Sequence, residues 1–281
     1  MIDNLPLVSV ITPSYNQGKF IEDAILSVKN QDYPNIEHII IDGGSIDTTL
    51  NILKKYENAY RMQWISEPDN GQADAINKGF DRAKGEIIGW INSDDAYFDV
   101  RTINAIVKYF QTFKEINVIY GNAARIDENN LLLFIIKPKK FDRDYLKKTC
   151  FLIQPAVFFR KRIIDEFRLD TSLHIAMDYD FWLRISKFHD FKYINKIFAV
   201  DRTHKDRKII SRRTDMINES VKVSKEYGNF EKTNKLQSYY TYLLKSVYGI
   251  DTIWNLYHKY NLAFDIKLDA MQRTMLRQIK P

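Results

Sequence analysis

Four short runs in the first hundred residues concentrate carboxylates, amides and glycines: 13–18, 42–45, 69–74 and 92–95. The sharpest is Asp94-Asp95, which ends an apolar stretch. Adjacent carboxylates there repel one another unless a cation or a hydrogen-bond network compensates them. Hard oxygen ligands beside open positions suit Mg²⁺ or Mn²⁺ shared with a substrate phosphate. A helix N-cap or a solvated turn would use the same pair, and the three other runs tip the balance toward chemistry. A second carboxylate, Asp178, precedes an apolar stripe of Phe181, Trp182, Ile185 and Phe188. Two compatible roles fit it. It can cap the helix, and near a helix N-terminus it stays ionised and can accept a hydroxyl proton.

The elements that must carry these residues follow from hydrophobic periodicity. Strand-like runs at 7–12, 36–41, 62–66, 87–91 and 118–122 alternate with helical patterns, the rhythm of a parallel α/β sheet. The helices show stripes such as Ile21, Ile25, Val28 and Ile103, Ile106, Val107, Phe110; Asp47 is placed to cap the one carrying Leu53 and Tyr56. Each polar run follows the C-terminal end of a strand, where open α/β sheets bind ligands. Beyond residue 125 the pattern is mixed, with strand-like runs at 131–136 and 153–159. From 215 it turns helical: Leu236, Tyr239, Tyr240, Leu243 and Val247 share one face, and Leu268, Met271, Met275 and Ile279 another. The expected division is a catalytic domain over 1–214 and a helical C-terminal extension over 215–281.

Composition narrows the class. At 281 residues, 45% hydrophobic and 28% charged, the chain has the balance of a globular protein rather than a disordered one. No apolar run approaches the roughly 18 residues of a spanning helix, and the start lacks a basic leader, so the expected compartment is the cytoplasm. One cysteine, Cys150, excludes a disulfide framework and a cysteine-based zinc site. The dinucleotide fingerprint, the P-loop, the zincin motif and the nucleophile elbow are all missing. Residues 1–100 carry 8 Lys/Arg against 16 Asp/Glu, and the remainder 34 against 20. An acidic front suits a bound cation, whereas a basic rear suits phosphate or an anionic membrane surface. No nucleic-acid motif accompanies the basic clusters Arg160-Lys161-Arg162, Arg207-Lys208 and Arg212-Arg213, so nucleic acid is not an expected partner. Trp254, Tyr257, Tyr260 and Phe264, followed by Lys267, Arg273, Arg277 and Lys280, fit interfacial attachment, core packing or a homodimer contact.

Taken in order, Val8-Ser9-Val10-Ile11-Thr12-Pro13-Ser14-Tyr15-Asn16, Ile41-Asp42-Gly43-Gly44-Ser45, Gly71-Gln72-Ala73-Asp74-Ala75-Ile76-Asn77 and Trp90-Ile91-Asn92-Ser93-Asp94-Asp95 resemble the family 2 glycosyltransferases of the GT-A fold. The likeness continues through Gln154-Pro155-Ala156 and Met177-Asp178-Tyr179-Asp180-Phe181-Trp182, covering about residues 7–205. It implies a mixed, mainly parallel α/β sheet flanked by helices and a site for a nucleotide-sugar donor, with UDP as the expected nucleotide. Pro13, Tyr15, Asn16 and Asp42 would line base and ribose, while Gly71, Asp74 and Asn77 would face ribose and diphosphate. Asp94 and Asp95 match the motif for Mg²⁺ or Mn²⁺, Asp178 matches the catalytic base, and His204 matches a histidine near the diphosphate and metal. An ordinary loop histidine would fit His204 as well.

The resemblance further implies a single displacement with inversion, passing a sugar to a hydroxyl of a saccharide acceptor. The charge balance and tail point to a lipid-linked acceptor at the inner membrane face, and the resemblance implies a place in surface polysaccharide synthesis. Three departures from the family pattern stand out. Gly43 occupies the place of a second acidic residue that reads the nucleobase, Asn92 that of a further Asp, and Met177 that of a Glu before the base. Rival readings are a sugar-phosphate nucleotidyltransferase, which carries a glycine-rich basic loop after its first strand, and an inactive nucleotide-sugar-binding or scaffold protein. The run Pro13-Ser14-Tyr15-Asn16-Gln17-Gly18 argues against the first, and intact Asp94, Asp95 and Asp178 against the second.

Overall fold

Every residue of β1 (Val8–Ser14) is buried, as a strand covered on both faces requires. The computed structural model describes residues 5–227. After β1 come α1 (Ile21–Lys29), β2 (Ile36–Asp42), α2 (Thr49–Tyr56), β3 (Met62–Ser66), α3 (Gln72–Arg82) and β4 (Ile87–Trp90). The short β5 (Ala96–Tyr97) and α4 (Thr102–Thr112) lead into the long β6 (Val118–Ile126) and β7 (Leu132–Ile136). Next are α5 (Arg143–Lys148), a 3-10 turn at Gln154–Ala156, β8 (Val157–Arg160), α6 (Arg162–Glu166) and α7 (Met177–Ser186). The described part closes with β9 (Phe191–Arg202), α8 (Lys208–Ser211) and α9 (Arg213–Glu226).

The nine strands among the described residues form one sheet in the order β3-β2-β1-β4-β8-β6-β9-β5, with β7 paired to β6. The β3-β2-β1-β4 section is parallel; β8 enters antiparallel, and β6 and β9 again run parallel. Alternation of side chains along β1 sends Val8 and Val10 to one face, with Ile103, Ile106 and Phe110 of α4. Ile11 goes to the other, with Ile76 and Phe80 of α3 and Trp182 of α7.

Several expectations shift in register. The 36–41 and 118–122 strands run on to Asp42 and Ile126. Neither β5 nor β9 was expected. Asp47 does not occupy the cap position of α2, which falls on Thr48; its carboxylate still accepts the Thr49 N–H at 2.9 Å and the Gly18 N–H at 2.9 Å. Phe188 lies beyond α7 and is 72% exposed, so it is no part of the buried stripe. The helix beginning near 215 is present as α9, whose Val223 packs into the main core. The expected helices over 236–248 and 254–279, with their aromatic-basic face, lie outside the described residues.

Candidate active site

A cavity of about 690 Å³ opens at the C-terminal edge of the parallel strands. The loops after β1, β2 and β3 contribute Pro13, Tyr15, Gly43, Asp69 and Gly71. The turn after β4 contributes Asn92, Asp94 and Asp95, and the later half adds Gln154, Asp178, Asp201, His204 and Arg207.

The 92–95 turn is fixed by strand register. β5 pairs antiparallel with β9 through Ala96 and Val200, which brings Asp95 beside the end of β9. There the Arg202 N–H donates to Asp95 Oδ1 at 3.0 Å, and Arg202 Nε donates to the Asp94 carbonyl at 2.9 Å. Arg202, 1% exposed, is itself held by Asp23 at 2.6 Å and by Asn130. His204, two residues past β9, lies with Nε2 3.0 Å from Asp94 Oδ2, while its buried Nδ1 has no hydrogen-bond partner among the described residues. Burial, then the neighbouring charges of Asp94 and Asp201, raise the Asp95 pKa well above the ordinary carboxylate range; Arg207 and the Arg202 N–H act against them.

Asp201 completes this charge cluster. Its Cα partner across the parallel β6–β9 pair is Arg125, and the two form an ion pair at 2.5 Å; Arg207 approaches from the other side at 2.6 Å. A carboxylate so deeply buried needs such compensation.

Asn92 explains one departure from the family pattern. Its Oδ1 accepts from Gln72 Nε2 at 2.9 Å and Trp90 Nε1 at 3.1 Å, and its Nδ2 donates to Gln154 Oε1 at 3.0 Å. An aspartate here could not make that last bond.

Asp178 sits in the first turn of α7 facing the cavity. It is not the cap: that position is Ala176, and Asp178 Oδ1 accepts the adjacent Tyr179 N–H at 2.7 Å. The free N–H groups ahead of α7 go instead to Glu219 of α9, whose carboxylate accepts from His174, Ile175 and Ala176 at 2.8–3.2 Å. Burial pushes the Asp178 pKa up to about 6, against the opposing Tyr179 N–H and Arg207 charge.

The cavity thus brings together Pro13, Tyr15, Gly71, Asp94, Asp95, Asp178 and His204 among the expected site residues. Four others do not line it. Asp42, fully buried, accepts from Ser45 Oγ at 2.5 Å, Ser66 Oγ at 2.6 Å and the N–H groups of Gly44 and Ser45. Asn16, at φ 52°, clamps the neighbouring loop through Ser45 and Ile46. Asp74 accepts the Asn70 N–H and faces Lys78, and Asn77 exchanges two hydrogen bonds with the Leu169 backbone. Arg125 and Asp201 were not foreseen; Asp69 was marked only as part of the 69–74 run, and Arg207 only as part of a basic cluster. Recognition of β9 as a strand would have flagged its terminal Asp201 by the same edge rule that found Asp94.

The expected anion-binding clusters are largely engaged within the fold. Arg160 donates to the carbonyls of Phe110, Lys114 and Ile116, Lys161 pairs with Asp165, Arg162 donates to Asn117, and Arg212 pairs with Asp215. Lys208 donates to Gln72 Oε1 at 2.9 Å across the cavity mouth.

No three His, Cys, Asp or Glu side chains among the described residues form a ready metal cage. Two carboxylates and His204 do meet at one wall, a donor set that suits a hard divalent cation if substrate phosphate oxygens complete its shell.

Comparison with known proteins settles the family. Residues 9–168 match the model of glycosyl transferase family 2. The chain belongs to that family. Relatives include the hyaluronan synthase of Pasteurella multocida, 32% identical over 202 residues, covering 70% of this chain and 20% of that protein. An uncharacterized glycosyltransferase of Rickettsia typhi is 28% identical over 71% of this chain and 64% of its own length. This chain therefore spans less than two thirds of each of these relatives. Among solved structures, S. aureus TarS 1-349 in complex with UDP-GlcNAc superposes with a TM-score of 0.63 at 17% identity, over 97% of this chain and 79% of that one. The Pyrobaculum calidifontis mannosyltransferase PcManGT, in complex with GDP-Man and Mn²⁺, gives 0.64 at 19% identity, over 82% and 66%. The architecture is the GT-A fold that the motifs implied.

Proposed function

We propose that this family 2 member is an inverting glycosyltransferase, moving a sugar from a nucleoside-diphosphate sugar to a hydroxyl of a saccharide acceptor. The observation that carries the reading is one cavity holding Asp94, Asp95 and His204 together with Asp178. A departing diphosphate and an attacking hydroxyl need these two chemistries within one substrate's length.

The acceptor oxygen attacks the anomeric carbon and the carbon–oxygen bond to the diphosphate breaks, its electron pair leaving with the phosphate. The sugar passes through an oxocarbenium-like state. Asp178, with a pKa near 6, is ionised at neutral pH and receives the hydroxyl proton as the new bond forms. One displacement inverts the anomeric centre. Asp95 and Asp94, with His204, would hold Mg²⁺ or Mn²⁺, which when bound neutralises charge on the diphosphate. Arg207 adds a fixed positive charge at the same wall.

The acceptor we propose is lipid-linked, in surface polysaccharide synthesis on the cytoplasmic membrane face. The polysaccharide synthases among the relatives and the basic balance after residue 100 support this. No helix among the described residues is long and apolar enough to cross a membrane. With most named basic clusters engaged internally, attachment would rest on the residues beyond 227. A panel of nucleotide sugars, assayed for metal-dependent hydrolysis and protection against unfolding, tests the donor; no response to any of them refutes the reading. Sedimentation with anionic and neutral vesicles at two salt concentrations tests the membrane. Equal, negligible binding would favour a soluble acceptor and leave the tail as a packing or homodimer element.

A further inference from the structure

The two ends of the cavity differ in chemistry. Where β9 meets the 92–95 turn, the lining is carboxylate, histidine and arginine. At the β1–β3 edge of the sheet it is Pro13, Tyr15, Gly43 and Asp69. A flat base fits the second end: Tyr15 is 60% exposed and offers a ring face, and Pro13 offers an apolar one.

Asp69 is the carboxylate of that end. A Cβ placed on Gly43 would stand 2.5 Å from Asp69 Oδ2 and 3.0 Å from its Cγ. The carboxylate therefore fills the niche that a side chain at 43 would need, and glycine at 43 is what admits it. Asp69 Oδ1 accepts the Gly71 N–H two residues on at 2.8 Å, an Asx-type bond that orients the group. Oδ2 receives no hydrogen bond among the described residues. The other acid nearby, Asp42, is saturated by its four donors.

We infer that Asp69 reads the nucleobase of the donor and that the base is uracil or its 5-methyl form, thymine, which shares the same pairing edge. The inference rests on the nucleotide-sugar reading above. One free carboxylate oxygen accepts one N–H. Uracil and thymine each present a single N–H on the pairing edge. Cytosine and adenine present a ring-nitrogen acceptor at the corresponding place, which a carboxylate repels. Guanine presents two adjacent N–H groups, a match for both carboxylate oxygens, and one of those is committed to Gly71.

The test is calorimetric binding of UDP, CDP, GDP and ADP to the full chain in the presence of Mg²⁺. UDP should bind about ten- to a hundredfold more tightly than CDP, the range for a hydrogen bond to a charged group. Asp69→Asn keeps an oxygen for the Gly71 N–H and turns the free oxygen into a donor for cytosine, so the ratio should fall toward one or invert. Gly43→Ala leaves Asp69 in the chain but displaces its carboxylate, and should narrow the ratio in the same direction. Equal binding of UDP and CDP by the wild type, tightest binding of GDP, or an unchanged ratio in both folded variants overturns the role of Asp69 and leaves the nucleotide reading standing. If the folded wild type binds none of the four, the nucleotide reading itself falls, and the uracil assignment with it.

Discussion

The two ends of the cavity wall are built by opposite means. Around β1–β3 the polar side chains hold backbone: Asp42 gathers two hydroxyls and two N–H groups, Asn16 clamps the 45–46 turn, and Asn77 anchors Leu169. What remains for a ligand is a proline, a tyrosine, glycines and Asp69. Around the end of β9 the charged side chains themselves face the cavity, and the buried Arg202 with the half-buried Arg125 and Arg207 holds them there. The first region defines a shape and the second a charge distribution. Substitutions should therefore damage stability in the first and turnover in the second.

The largest effect should come from Asp95→Ala. Loss of this carboxylate should lower transfer by about a thousandfold or more and abolish metal-dependent nucleotide binding, since charge on the diphosphate is then unmatched. Unchanged turnover in a folded variant would remove the second region's claim to the chemistry. Asp178→Asn comes next, with donor affinity near normal and transfer about a hundredfold slower for want of a proton acceptor. In the wild type, kcat/KM should fall as pH drops through about 6, where Asp178 takes up its proton. The sign for stability is opposite. A carboxyl with a raised folded pKa binds its proton more tightly in the native state, so the fold loses stability as pH rises from about 4 to 6. Asp178→Asn should consequently melt above the wild type at pH 7.5, by an amount on the order of 1–3 kcal/mol. A variant that melts lower and keeps its activity would make Asp178 a structural residue.

Asp42→Ala probes the first region. It strands the buried Ser45 hydroxyl, the half-buried Ser66 hydroxyl and two N–H groups, at a cost of about 2–4 kcal/mol, and should lower the melting temperature before it changes affinity per folded molecule. If it instead melts normally and loses nucleotide binding, Asp42 contacts the ligand and the contrast between the regions dissolves.

Much of the first region was legible because its strands are short β-branched runs ending in Gly, Asp and Asn, and edge position alone marks such loops as ligand-facing. What periodicity could not reveal was which way each polar side chain turns. Asp42 shares a motif with Gly43 and Asn77 one with Gly71, yet both point into hydrogen bonds, with Ser66 and Leu169, set by strand and helix packing. In the second region Asp94 and Asp95 were legible because an apolar strand, 87–91, announced them, Asp178 because it precedes an apolar stripe, and His204 only through the resemblance. β9 reads FKYINKIFAVDR, interrupted by Lys192, Asn195 and Lys196, so its helix-or-strand period is weak and Asp201 and Arg202 went unmarked with it. The roles of Arg125 and Arg207 depend on a pairing between strands some 75 positions apart in the chain, which no local pattern encodes.

Glu219 should give the smallest effect and the finest test of how the charge region is held. Its carboxylate takes three successive N–H groups at the entry of the helix that carries Asp178, from an element more than forty positions later. Glu219→Gln keeps the shape and an acceptor oxygen but turns charge-assisted bonds into neutral ones, a loss of about 1 kcal/mol. In a folded unit of this size that lowers the melting temperature by roughly 2–4 °C. Burial of Glu219 opposes its ionisation, yet the three N–H groups together hold its pKa below 4.5. A depressed folded pKa means the stabilisation is present above the unfolded value and is lost as pH falls through the folded one. The difference between wild type and Glu219→Gln should therefore be full at pH 7 and shrink on acidification as Glu219 takes up its proton. Turnover should fall a few-fold with donor affinity unchanged, because the turn that fails is the one leading into Asp178 and not the one around Gly71. A loss of donor affinity instead would mean that α9 supports the whole cavity rather than its charged wall.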